Sequence, residues 1–240
     1  MRKFLLILSV LILCSCESLE ECTMRSGSMT SKQVEVGSFN KILVNRGISL
    51  VVSEAPEYSV TIVSGNNLIE HIEAKINGET LVLSDHAECN WRRDYGVTTV
   101  YVTAPSLSQI QSLSEQKISS GNVLHYPTLH LISLDNGTSD FHFEVDNDVV
   151  FIETNNVSGF YLKGHTNQLS AGFYEGNGPL HAEELEAENV DVFHRSSNHM
   201  YVKPVQQLTG NLYSTGNLYC IGQPPVVDVV RHYTGKLIYW

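Results

Sequence analysis

Along its C-terminal half the chain switches between apolar and polar positions in a fixed rhythm. Apolar runs at 131–134, 149–152, 169–173, 190–193, 208–213 and 226–230 each lead into a small polar triplet. The triplets are Asn136-Gly137-Thr138, Asn156-Val157-Ser158, Gly176-Asn177-Gly178, Ser196-Ser197-Asn198, Thr215-Gly216-Asn217 and Thr234-Gly235-Lys236. Their centres lie 20, 20, 20, 19 and 19 residues apart. A short run of period two follows each triplet. Phe141 and Phe143, Phe160 and Leu162, Leu180 and Ala182, Met200 and Val202, Leu218 and Cys220, and Leu237 and Tyr239 should therefore each share a face. A constant period of this size implies stacked supersecondary units.

A second set of corners separates the units, at 146–148, 164–167, 183–184, 203–204 and 222–225. Each unit is then two short strands and two corners in about 20 residues. In a β-solenoid one unit is one coil, and the triplets line one continuous edge. A sandwich of hairpins gives no reason for a constant period. A leucine-rich repeat needs leucines at i, i+3 and i+5, and these are missing. The expected fold class is all-β, a parallel β-helix-like solenoid of about 20 residues per coil.

Upstream the pattern is less regular. Strand-like segments at 39–44, 48–53, 58–63 and 97–104 are separated by Arg46-Gly47, Ala55-Pro56 and Pro105. Alternating runs at 71–76 and 79–84 flank Asn77-Gly78, which predicts a type I′ hairpin. Residues 35–240 form one expected domain, with 35–113 as irregular strands capping the repeats of 114–240. Tyr239 and Trp240 are placed to help cover the other end.

Composition narrows the partners. The 240 residues carry 26 acidic against 15 basic side chains, a formal charge of −11. That balance disfavours nucleic acid and anionic lipid, both of which need basic patches. The N-terminus reads as an address. Met1-Arg2-Lys3 and the apolar run 4–13 form a signal segment too short to span a bilayer. Leu13-Cys14-Ser15-Cys16 resembles a bacterial lipobox, with residues 1–15 as signal peptide and Cys16 as the acylated residue that anchors the chain to a membrane. Glu17-Ser18-Leu19-Glu20-Glu21 resembles the surface-export signal of lipoproteins in Bacteroides-like bacteria, or else is a solvated acidic stretch. Residues 16–34 are the expected flexible tether. The expected location is the cell envelope, lipid-anchored at the outer membrane and exposed at the surface.

The whole mature chain also resembles the "putative auto-transporter adhesin, head GIN domain" family. Phe39-Asn40-Lys41-Ile42 with Gly47-Ile48-Ser49-Leu50-Val51-Val52 is similar to its opening strands. Val100-Tyr101-Val102-Thr103-Ala104-Pro105-Ser106-Leu107 is similar to a strand ending in Pro-x-Leu, and Gly216-Asn217-Leu218-Tyr219-Cys220-Ile221-Gly222-Gln223-Pro224 to the closing element. Asn156-Val157-Ser158 and Ser196-Ser197-Asn198 depart from it by lacking glycine, and Glu115-Gln116 stands where an earlier triplet is expected. The resemblance implies a right-handed superhelix related in shape to the pectin-lyase fold, with no known active site, and a non-enzymatic adhesin role.

Little in the chain points to chemistry. Ten histidines include no pair at ligand spacing, and Asp85-His86-Ala87-Glu88-Cys89 lacks a second half-site, so no metal or cofactor is expected. Cys22 and Cys89 are either an oxidised pair or separate thiols. The alternative function is a carbohydrate-active enzyme or polysaccharide-binding protein. A lyase needs clustered cations, whereas Lys163, Arg195, Lys203, Arg231 and Lys236 share no rung. A hydrolase needs facing carboxylates, for which only Asp135, Asp140, Glu144, Asp146 and Asp148 are close in sequence. For contact with a glycan or a surface protein there are two candidates. One is the loop holding Trp91, Arg92, Arg93 and Tyr95, types enriched at binding hot spots. The other is an outward ladder of Tyr161, His181, Tyr201 and Tyr219, one per coil.

Overall fold

The structure is a computed structural model that describes residues 25–87 and 96–240. Among these residues the regular structure is all strand apart from one 3₁₀ turn at Ile69–His71. The N-terminal strands are β1 (Met29–Val34), β2 (Lys41–Val44), β3 (Ile48–Glu54), β4 (Ser59–Gly65), β5 (Ile72–Asn77), β6 (Thr80–Asp85), β7 (Thr98–Ala104), β8 (Gln109–Ser112) and β9 (Ile118–Ser120). The repeats follow as β10 (Thr128–Ser133), β11 (Phe141–Thr154), β12 (Phe160–Phe173), β13 (Leu180–His194), β14 (Met200–Leu212), β15 (Leu218–Cys220), β16 (Val226–Arg231) and β17 (Leu237–Tyr239).

Each of β11 to β14 runs through a non-triplet corner, so its two halves belong to different stacks of parallel strands. The first stack runs β6, β2, β8, β10, the C-terminal halves of β11 to β14, then β16. The second runs β7, β3, β9, the N-terminal halves of β11 to β14, then β15 and β17. The expected solenoid is therefore present. Paired residues in successive coils, such as Phe141, Phe160, Leu180, Met200, Leu218 and Leu237, are 18 to 20 apart.

Burial follows the predicted alternation. Phe141, Phe143, Phe160, Leu162, Leu180, Ala182, Met200, Val202, Leu218 and Cys220 all join one continuous core. Inside it Phe141 stacks on Phe160 at 4.7 Å. Only the last pair departs: Leu237 is half-buried and Tyr239 exposed, because no coil lies beyond them among the described residues.

The triplets form the expected edge, and their chemistry is coil stacking. A Cβ on Gly216 would fall on the Asn198 carbonyl oxygen of the coil before, and one on Gly176, whose φ is +90°, on that of Asn156. Asn156 replaces glycine with side-chain bonds. It accepts from the Ser158 N–H at 2.9 Å and donates to the Ser133 carbonyl of the previous coil at 3.1 Å. Buried serines continue this below the edge, Ser133 to Ser158 and Ser112 to Ser139, both at 2.7 Å.

The N-terminal segment differs from the expectation in three ways. Residues 29–34 are not tether: they form β1, which pairs antiparallel with β4. The hairpin opposes Asn77 to Thr80, so Gly78 and Glu79 are the central residues. Only Gly78 has positive φ, +60°, which is a type II′ pattern and not type I′. Antiparallel β1, β4 and β5 do flank the N-terminal end. In contrast, β2 and β3 form a true coil, inserted between the coil of β6 and β7 and that of β8 and β9.

Candidate binding surface: an outward aromatic ladder

Parallel pairing in register places identical positions of successive coils about 4.8 Å apart. Side chains one residue beyond the buried Phe141, Phe160, Leu180, Met200 and Leu218 therefore form an outward row. That row is Tyr101, Val51, Ser119, His142, Tyr161, His181, Tyr201, Tyr219 and Ile238. Five consecutive members stack face to face. Centroids are 4.5 Å apart for His142 and Tyr161, 5.0 Å for Tyr161 and His181, 5.0 Å for His181 and Tyr201, and 4.7 Å for Tyr201 and Tyr219. Interplanar angles run from 2° to 13°. The sequence-predicted ladder is thus assembled as one object.

His142, His199 and Trp240 belong to it and were missed. His142 follows Phe141 as Tyr161 follows Phe160, so the 19-residue offset carried the signal. His199 and Trp240 lie off the row and pack edge-on against Tyr219 and Tyr201 respectively, at 5.4 and 5.6 Å. Trp240 thus covers the end of the ladder and not the core.

Because the rings cover one another's faces, the ladder presents edges: tyrosine hydroxyls and imidazole nitrogens. Partial burial, then Lys117, hold His142 below the ordinary histidine range, with Asp140 opposing. Burial, then Asp140 and Glu183, raise the Tyr161 hydroxyl, so it stays a neutral donor. His181 Nδ1 lies 3.1 Å from Glu183 Oε1. Glu183 and Glu184 stand in an irregularity of β13, where register with β14 slips between Ala182 and Glu186 and register with β12 slips between His181 and Glu184. That irregularity walls a groove of about 560 Å³ over His142, Tyr161 and His181, bounded on its other side by Lys117, Ser119 and Asn122.

A second outward stack occupies the other sheet. Tyr174 meets Phe193 at 5.4 Å, Phe193 meets Tyr213 at 4.9 Å, and Tyr213 meets His232 at 4.2 Å and 4°. Tyr174 leans back over Gly172, whose missing Cβ leaves room for the ring. The two stacks flank the triplet edge.

Four of the five carboxylates weighed for hydrolysis are tied into cross-coil contacts instead. Glu144 holds Lys163 at 3.0 Å, Asp146 faces His165 at 3.4 Å, Asp148 accepts from Asn167 at 2.9 Å, and Asp140 accepts from the Gly159 N–H at 3.2 Å. Among the described residues no three His, Cys, Asp or Glu side chains converge as a metal site. Cys220 is buried as a core residue. Trp91, Arg92, Arg93, Tyr95, Cys16, Cys22 and Cys89 lie outside the described residues.

Comparison with known proteins supports the architecture. The family model for "Putative auto-transporter adhesin, head GIN domain" matches residues 38–224. A crystal structure described as a putative adhesin from Bacteroides fragilis superposes with a TM-score of 0.81 at 14% identity, covering 90% of this chain and 100% of that one. A protein described as a putative lipid binding protein from Parabacteroides distasonis gives 0.66 at 11% identity, covering 91% and 99%. A putative adhesin from the same species gives 0.65 at 15%, covering 91% and 100%. Curated protein sequences include no match.

Proposed function

The chain belongs to the "putative auto-transporter adhesin, head GIN domain" family, and from that premise we propose that it is a non-enzymatic cell-envelope lipoprotein whose solenoid presents the aromatic ladder for adhesive contact. The observation that carries this reading is the uninterrupted stack from His142 to Tyr219, half-buried on the outer face and repeated once per coil. Stacked aromatics with polar rims at the surface are contact chemistry, since tyrosine supplies large rigid area and a hydroxyl at low entropic cost. Catalysis has no support from the carboxylates: Glu144 is paired with Lys163 and Asp146 faces His165 across coils. The anchor in this reading is Cys16, and the partner is a glycan or a surface protein.

The test is attachment. Beads coated with the full mature chain should bind bacterial or host cell surfaces, and the double variant His181→Ala with Tyr201→Ala should lose most of that binding while melting as a folded protein. Equal attachment by the variant would remove the ladder as the contact surface.

A further inference from the structure

The ladder stops at His142 because the preceding coil offers Ser119 at the same position, before the row resumes at Val51. One face of His142 is covered by Tyr161 at 4.5 Å and 7°. The opposite face is therefore turned along the solenoid axis, over Ser119, into the groove. Tyr161, His181 and Tyr201 each have a ring on both sides. The notch at Ser119 is thus where the stack leaves a ring face uncovered, and its depth is one rung.

What fits a one-rung notch is a ring with an apolar face and a hydroxylated rim. We infer that the groove binds a neutral oligosaccharide, with one pyranose ring seated over Ser119 against His142 and its neighbours running over Tyr161 towards His181. The inference rests on the ladder being a contact surface, and adds the ligand class. Volume agrees: about 560 Å³ lies within the range of small-ligand sites. Charge selects against polyanions. Lys117 and Lys163 face Glu144, Glu183 and Glu184, which leaves the lining one negative charge, and Glu144 already holds Lys163 at 3.0 Å.

Ser119→Tyr fills the notch with the ring the row lacks, and His142→Ala removes the platform. Isothermal titration of the full mature chain with neutral gluco-, manno- and xylo-oligosaccharides, and with oligouronides of equal length, tests the assignment. The expected result is saturable binding of a neutral oligosaccharide, weakened about tenfold or more by each variant, with oligouronides weaker still. Both variants should keep the parent melting temperature; should Ser119→Tyr misfold, His142→Ala decides alone. Absence of binding across the neutral panel, tighter binding of the oligouronides, or binding indifferent to His142→Ala overturns the inference. Cell attachment separates this from the broader reading. Attachment lost in the His181 and Tyr201 double variant but kept in both notch variants sinks the notch and leaves the ladder. Oligosaccharide binding that depends on the notch, beside attachment indifferent to the double variant, sinks the ladder's adhesive role instead.

Discussion

Individual residues reveal how tightly the coils are stacked. His194 is 1% exposed, in the inward row between Phe173 and Leu212. Burial, outweighing the Asn217 backbone that acts to raise it, lowers its pKa from 6.5 to about 4. The unfolded chain therefore takes up this proton as pH falls below 6.5, while the folded chain resists until about 4. The stability it contributes is complete above 6.5 and is lost across that window, amounting to about 3 kcal/mol. His194→Leu, matching Leu212 one coil on, should flatten the decline in melting temperature between pH 7 and 4.5; an unchanged decline would refute the assignment. Gly216 makes a steric prediction. Gly216→Ala sets a methyl on the Asn198 carbonyl and should cost about 1–3 kcal/mol by chemical denaturation. Gly37→Ala, with open space around it, should stay within about 0.5 kcal/mol. The need for glycine at 216 was legible as turn chemistry. The burial of His194 was legible only in part, since the last polar residue of an apolar run points either way.

At the scale of the strand and corner, regularity comes from bonds between coils more than within them. Asn156 ties its corner to Ser133 and caps the Ser158 N–H, so a triplet without glycine still stacks. Asn156→Ala should destabilise by about 2 kcal/mol, because a buried carbonyl and N–H lose partners. Asn177→Ala, one coil on, removes only an acceptor for the exposed Ser197 hydroxyl and should cost less than about 1 kcal/mol. Equal losses would show that the Asn156 bonds carry no special weight. The period was readable because each corner uses small polar turn residues, and the first ladder because Tyr161, His181, Tyr201 and Tyr219 each directly follow an apolar residue of the alternating run, Phe160, Leu180, Met200 and Leu218. The second stack was not readable. Tyr174 crosses back over Gly172 to reach Phe193, so its members do not occupy one sequence position.

Across the whole molecule, the strand order explains what sequence periodicity cannot reach. The coil of β2 and β3 is sandwiched between later segments, and no local pattern encodes a pairing such as Ile42 with both Leu81 and Ile110. Each partner is simply another alternating apolar strand. The same order sets which end an N-terminal anchor would hold. β1 closes the N-terminal end against β4, and Ser28 and Arg25 are already held by Asn66 and Asn67. Acylation at Cys16 would then leave nine residue steps to Arg25, a reach of about 30 Å at most. The nine parallel strand segments of the second stack, among the described residues, rise about 40 Å. The Tyr219 and Trp240 end of the ladder thus stands farthest along the chain from the proposed membrane anchor, where a partner on an opposing surface would meet it first. Two measurements check this geometry. Mass spectrometry of the mature protein should find an acylated Cys16 at its N-terminus, and an unmodified N-terminus elsewhere would remove the anchor. Protease added to intact cells should digest the chain before the envelope is broken. Protection until lysis would turn the same ladder towards the periplasm and end the surface-adhesion reading, while leaving the groove and its ligand class to be tested on the purified chain.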